Sequence, residues 1–200
     1  MSISCKTVIS LLLIFAYTQL VQAQVFEKGA LVTSIGIGTP NGAKVLFGFV
    51  QEDYPNAVIT QQKAGPLHGK FELGLSRRIG VGLSVNYITS RAIFANAGYD
   101  YDLRFASTKL NIRSNLHLGN KKRFDPYIGI GLGYGFGGNN FKTNDPFFKP
   151  YDLGNPRLGF EVTLGSRFYF NDNIGIYAEL GMARSIVQFG LCYKVTEDDL

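Results

Sequence analysis

Eight charged residues stand at alternate positions inside runs that are otherwise apolar or small: Lys70, Glu72, Lys109, Arg113, Glu161, Arg167, Glu179 and Lys194. Five cations and three carboxylates on one side of such runs support two kinds of chemistry. They can neutralise one another as buried ion pairs, or they can bind a charged ligand or relay a proton. Glu72, Arg113, Arg167 and Glu179 each lie about four to six residues from a tight turn at the same end, which brings them to comparable depth once strand tilt and shear are allowed for. Arg113 and Arg167 are therefore expected near Glu72 and Glu179.

Other reactive constellations are not supported. His68, His117 and Cys192 have no metal-ligand spacing. Gly133-Tyr134-Gly135-Phe136-Gly137-Gly138 matches G-x-G-x-x-G, but Asn139–Pro146 reads as a loop and not as the helix N-terminus that would receive a pyrophosphate. No G-x-S-x-G elbow occurs, and the sequence assigns no base to any serine. The expectation is no catalytic residue, no cofactor and no metal. The formal charge of +5 is a mild excess, and the longest basic run, Lys121-Lys122-Arg123, lacks interleaved aromatics, so nucleic acid is not an expected partner.

The elements that position the eight charges have a period of two. In Ile79–Tyr87 the apolar set Ile79, Val81, Leu83, Val85 and Tyr87 alternates with Gly80, Gly82, Ser84 and Asn86. In Pro126–Phe136, Ile128, Ile130, Leu132, Tyr134 and Phe136 alternate with Gly129, Gly131, Gly133 and Gly135. Strands are expected at Ala30–Thr39, Leu67–Ser76, Ile79–Thr89, Leu103–Leu118, Pro126–Phe136, Pro156–Phe170, Ile174–Ala183 and Ser185–Val195. Arg91–Asp102 and Gly137–Asn155 read as loops. Val45–Val50 reads as part of the loop Pro40–Pro66, with an extra strand as the alternative.

The polar face of these strands is rich in Gly, Ser and Asn and poor in charge, which suits a narrow lumen better than a solvated exterior. The fold expected is all-β: an eight-stranded antiparallel transmembrane up-and-down β-barrel with lipid outside. Connections alternate long and short, placing long loops at the extracellular end and short turns at the periplasmic end. The interior of such a barrel is just wide enough for side chains to fill, so the charges are expected to close it, and the Gly129–Gly135 row gives them room. Outward Tyr87, Tyr134, Phe168, Phe170 and Tyr193 are candidates for interfacial girdles.

Residues 1–23 read as a cleaved signal peptide: Lys6, an apolar run over Thr7–Val21, and the small-residue site Val21-Gln22-Ala23 before Gln24. Residues 24–195 form the barrel domain and 196–200 an acidic tail. Removal of Cys5 with the leader leaves Cys192 alone, without a disulfide partner.

Gly74–Gly82, Pro126–Tyr134 and Gly165–Gly181, taken in order and spacing, resemble the small outer-membrane protein β-barrel domain family of Gram-negative bacteria. The last strand departs from that pattern, ending on Val195 where an aromatic residue is usual. The resemblance implies an integral outer-membrane protein surrounded by outer-membrane lipid, inserted with periplasmic chaperones and the barrel-assembly machinery. It implies no enzyme activity and a structural or surface-interaction role. A small pore or transporter is the first alternative, and a soluble lipocalin-like carrier, with its apolar face inside, is the second.

Overall fold

A computed structural model describes residues 26–40, 44–119, 123–150 and 157–196. The expected leader, residues 1–23, and most of the acidic tail lie outside them. Eight strands follow one another around a closed antiparallel barrel. They are β1 (Leu31–Thr39), β2 (Thr60–Gly74), β3 (Ile79–Asn96), β4 (Tyr99–His117), β5 (Phe124–Thr143), β6 (Leu158–Tyr169), β7 (Ile174–Met182) and β8 (Val187–Val195). Pairing of β1 with β8, from Leu31↔Val195 to Thr39↔Val187, closes the ring, so no open sheet edge remains at the levels where all eight strands pair.

The alternation has the orientation expected of a lipid-facing barrel. Ile112, Ile130, Leu132, Leu164, Leu180 and Leu191 are exposed outside, whereas Ser84, Asn111, Arg113, Thr163 and Glu179 are buried inside. That is the reverse of a soluble carrier. In the outward column shared by β3, β4 and β5, the levels Leu83–Ile112–Leu132 and Val85–Leu110–Tyr134 lead up to Tyr87–Thr108–Phe136. Phe168, Phe170 and Tyr193 are exposed near the opposite end, beside the 170–173 turn.

Four expectations need correction, the first being the length of the loop expected over Pro40–Pro66: β2 already begins at Thr60 and pairs with β3 from Thr60↔Ile93, extending the β3 hairpin upward. The stretch containing Val45–Val50 is neither loop nor strand: Lys44–Asp53 forms the helix α1, because its contiguous apolar residues do not alternate. Arg91–Asp102 is not a loop, since β3 and β4 run on as a continuous hairpin to the pair Asn96↔Tyr99. Nor does the loop after β5 begin at Gly137, because β5 stays paired with β4 as far as Thr143↔Tyr101.

The extended hairpin follows a different polarity rule from the barrel below it. Its inward residues Ile88, Ala92, Phe94, Tyr101, Leu103 and Phe105 are buried with Val50 of α1 in an apolar core, while Arg91 and Arg104 face outward. Lipid outside demands apolar residues outward; water outside demands them inward, where a large one such as Ile88, Phe94 or Leu103 contributes about 1.5–3 kcal/mol. The change falls at Tyr87–Thr89 and marks where the strands leave the hydrocarbon. At the other end Phe26, buried and stacked on His117 at 3.5 Å between ring centroids, closes the base with Val32, Tyr169 and Cys192.

Candidate functional site: the lumen charge network

Two layers of side chains cross the lumen. In the upper one, Arg113 of β4 donates to Glu179 of β7 through Nη2 at 2.8 Å and Nη1 at 3.2 Å, and reaches Glu161 of β6 at 3.2 Å. Lys70 of β2 pairs with Glu179 at 2.6 Å. Tyr127 donates its hydroxyl to Glu179 at 2.7 Å. Ser84 and Asn111 donate to Glu161 at 3.0 and 3.1 Å. Arg113 is also held by Thr163 and Asn115, each at 2.8 Å.

In the lower layer Arg167 of β6 pairs with Glu72 of β2 and lies 3.5 Å from Asp125. His117 bridges the same two carboxylates, Nε2 to Glu72 at 2.8 Å and Nδ1 to Asp125 at 2.7 Å. Carboxylates only accept hydrogen bonds, so both ring nitrogens donate, as in the imidazolium form. The two layers then hold Lys70, Arg113, Arg167 and His117 against Glu72, Asp125, Glu161 and Glu179. Tyr127 lies between them, its ring 4.6 Å from the Arg167 guanidinium.

Six of the eight sequence-derived residues thus meet: Lys70, Glu72, Arg113, Glu161, Arg167 and Glu179. Lys109 and Lys194 do not join them. Lys109 is half-buried above the layers, and Lys194 sits near the base with its ammonium 5.4 Å from the Tyr169 ring. Sequence reasoning missed Asp125, which fell in an expected turn, and the bridging role of His117, whose inward position was legible but whose partners were not.

The inward glycines explain how large groups fit in a small ring. A Cβ at Gly129 would collide with the Arg113 guanidinium, one at Gly131 with the Glu161 side chain, and one at Gly165 with the Tyr127 ring.

Above the charge layers His68 joins two polar partners, Nδ1 to Asn86 Oδ1 at 2.5 Å and Nε2 to the Ser185 hydroxyl at 3.0 Å. The order Ser–His–Asn is that of a hydrolytic relay. A nucleophile also needs a vacant position about 3 Å away for the reacting carbon. Here a single methyl group added at Gly38 would overlap both the serine oxygen and the imidazole, and all three side chains are buried. The trio therefore works as a hydrogen-bonded cap on the network.

Outside the hydrocarbon, Arg91 grips Asp102 with two hydrogen bonds of 2.7 and 2.6 Å. Those bonds hold the Asp102 carboxyl below its ordinary range despite partial burial, with the Arg91, Lys142 and Arg104 charges adding to the effect. No helix among the described residues is long and apolar enough to cross a membrane, and no group of metal-ligating side chains occurs among them.

A closed barrel with an apolar exterior and an ion-paired interior defines an integral membrane β-barrel. Residues 9–181 match the model of the outer membrane protein beta-barrel domain, and the chain belongs to that family. It is a protein of the bacterial outer membrane, surrounded by membrane lipid.

Solved structures similar to it include the outer membrane protein OprG from Pseudomonas aeruginosa, at 15% identity and a TM-score of 0.45, covering 88% of this chain and 100% of that one. The N-terminal β-barrel domain of Pseudomonas aeruginosa OprF is 12% identical with a TM-score of 0.42, covering 84% and 98%. Ail, the attachment invasion locus protein of Yersinia pestis, solved with the heparin analogue sucrose octasulfate, is 15% identical with a TM-score of 0.41, covering 84% and 99%. No curated protein matches the sequence.

Proposed function

We propose that this protein is a non-conducting, non-enzymatic scaffold of the outer membrane whose role lies in its extracellular surface or in envelope integrity. The observation that carries this reading is the pair of charge layers: Arg113 with Glu179, Glu161 and Lys70, then Arg167 with Glu72, Asp125 and His117, all buried within one narrow lumen. An ion crossing it would have to displace side chains whose charges are already compensated. The extended β3–β4–β5 wall with α1 forms the part offered to the outside. Insertion is assigned to periplasmic chaperones and the barrel-assembly machinery, so depletion of the assembly machinery should leave the chain uninserted.

Reconstitution into planar bilayers tests the central point. The closed reading expects no steady current at moderate voltage; a steady ohmic conductance from the purified barrel would establish the pore reading instead.

A further inference from the structure

The outward column of β3, β4 and β5 changes character in regular steps. Above Tyr87–Thr108–Phe136 comes Thr89–Ala106–Gly138, then Arg91–Arg104–Asn140, then Ile93–Asp102–Lys142. The Arg91 level is four residues beyond the aromatic one, about 13 Å along the strand and about 10 Å along the membrane normal at the usual tilt. That height lies just outside the hydrocarbon, within reach of the headgroup region once the length of an arginine side chain is included.

Arg91, Asp102, Arg104, Asn140 and Lys142 line one cavity of about 190 Å³. Its charges are unequal. Asp102 is engaged by both ends of the Arg91 guanidinium. Arg104 and Lys142 make no hydrogen bond or ion pair among the described residues, and they are diagonal neighbours across the β4–β5 ladder, about 7–8 Å apart. Asn140 stands opposite Arg104, and Asp102, already held by Arg91, stands opposite Lys142. The two cations thus share the cavity with a carboxamide and a compensated carboxylate, an arrangement with net positive charge suited to a phosphate. Their position on the outer wall, directly above the lipid-facing column, selects the source of that phosphate.

We propose that this cavity binds the phosphate of an outer-leaflet phosphorylated glycolipid, with Arg104 and Lys142 as the charged contacts, Asn140 as a neutral donor, and the Arg91–Asp102 pair fixing the rim. The acyl chains of the same lipid would lie along Tyr87, Tyr134 and Phe136. The site anchors the tall wall of the barrel to its leaflet.

The test uses refolded protein in neutral detergent, where binding does not depend on which end faced out. An acylated glucosamine disaccharide is titrated in its phosphorylated and enzymatically dephosphorylated forms and binding is read by native mass spectrometry. The phosphorylated form should bind at least tenfold more tightly, with the preference weakening as salt rises. The Arg104→Gln/Lys142→Gln double variant should lose the preference, while Lys28→Gln at the opposite end keeps it. The charge-preserving Arg104→Lys/Lys142→Arg exchange should retain most of it, and a normal gel-mobility shift certifies that each variant is folded. Equal affinity for the two glycolipids, or an unchanged preference in the folded double variant, would overturn the proposal. Complete competition by millimolar inorganic phosphate would do so too, by assigning the cavity to a free anion.

Discussion

Glu179 accepts a hydrogen bond from Tyr127, two from Arg113 and an ion pair from Lys70, and it is 1% exposed. Removing its charge leaves Lys70 and part of Arg113 uncompensated where water cannot replace the partner, at a cost of about 3–5 kcal/mol. Removing an exposed carboxylate costs about 0–1 kcal/mol. Glu179→Gln is therefore expected to lower the urea midpoint of the detergent-refolded barrel well beyond the change caused by Glu52→Gln on the exposed side of α1. The heat-modifiable gel shift reports both variants in one detergent, and equal small changes would mean that Glu179 is not the hub of the network. Alternation alone revealed that Glu179 faces inward. Depth from the short turns added that Arg113 and Arg167 lie near Glu72 and Glu179, as they do. Which cation takes which carboxylate depends on the barrel's shear, since Arg113 and Glu179 come from strands that are not neighbours, and Asp125 joins only because β5 begins before Pro126.

At the scale of elements, the membrane strands were legible because one polarity rule holds along each of them. The β3–β4 extension was not, since it obeys the opposite rule. Arg91, Asp100 and Asp102 give the segment Arg91–Asp102 the composition of a solvated loop, yet its inward residues Ala92, Phe94 and Tyr101, continued by Leu103, keep the period of two. The turn also lacked its usual marker. Ala97 and Gly98 connect the pair Asn96↔Tyr99 with φ of 51° and 84°, the left-handed geometry of a two-residue hairpin in which Asn-Gly is the common signal. An alanine there costs about 1 kcal/mol relative to a residue that tolerates positive φ. Ala97→Asn should raise stability by up to that amount and slow amide exchange at Asn96 and Tyr99. Faster exchange at both would show that the hairpin tip is not held in this turn.

At the scale of the molecule, the barrel has two unlike ends. One carries the short 75–78 and 170–173 connections and the Phe26 segment, tied by hydrogen bonds from Gly29 to Gly74 and from Gly74 to Ala30. The other carries α1, the tall β3–β4–β5 wall and the segment after Thr143, with apolar side chains inward and charges outward, as water on that side requires. The lipid-facing levels from Ile79 to Tyr87 lie eight residue steps apart on β3, or about 20 Å along the normal at the usual tilt, which with the side chains at either end approaches the roughly 25 Å band of outer-membrane barrels. The tall end can then only project beyond the hydrocarbon, and the long-loop end of such barrels is extracellular. An epitope inserted after Lys149 should be detected by antibody on intact cells. The same epitope after Asp172, in the short turn, should be detected only once the outer membrane has been opened, with both proteins showing the folded gel mobility. Labelling of the Asp172 insertion on intact cells, with the Lys149 insertion silent, would invert the orientation and place the Arg104–Lys142 cavity at the inner leaflet.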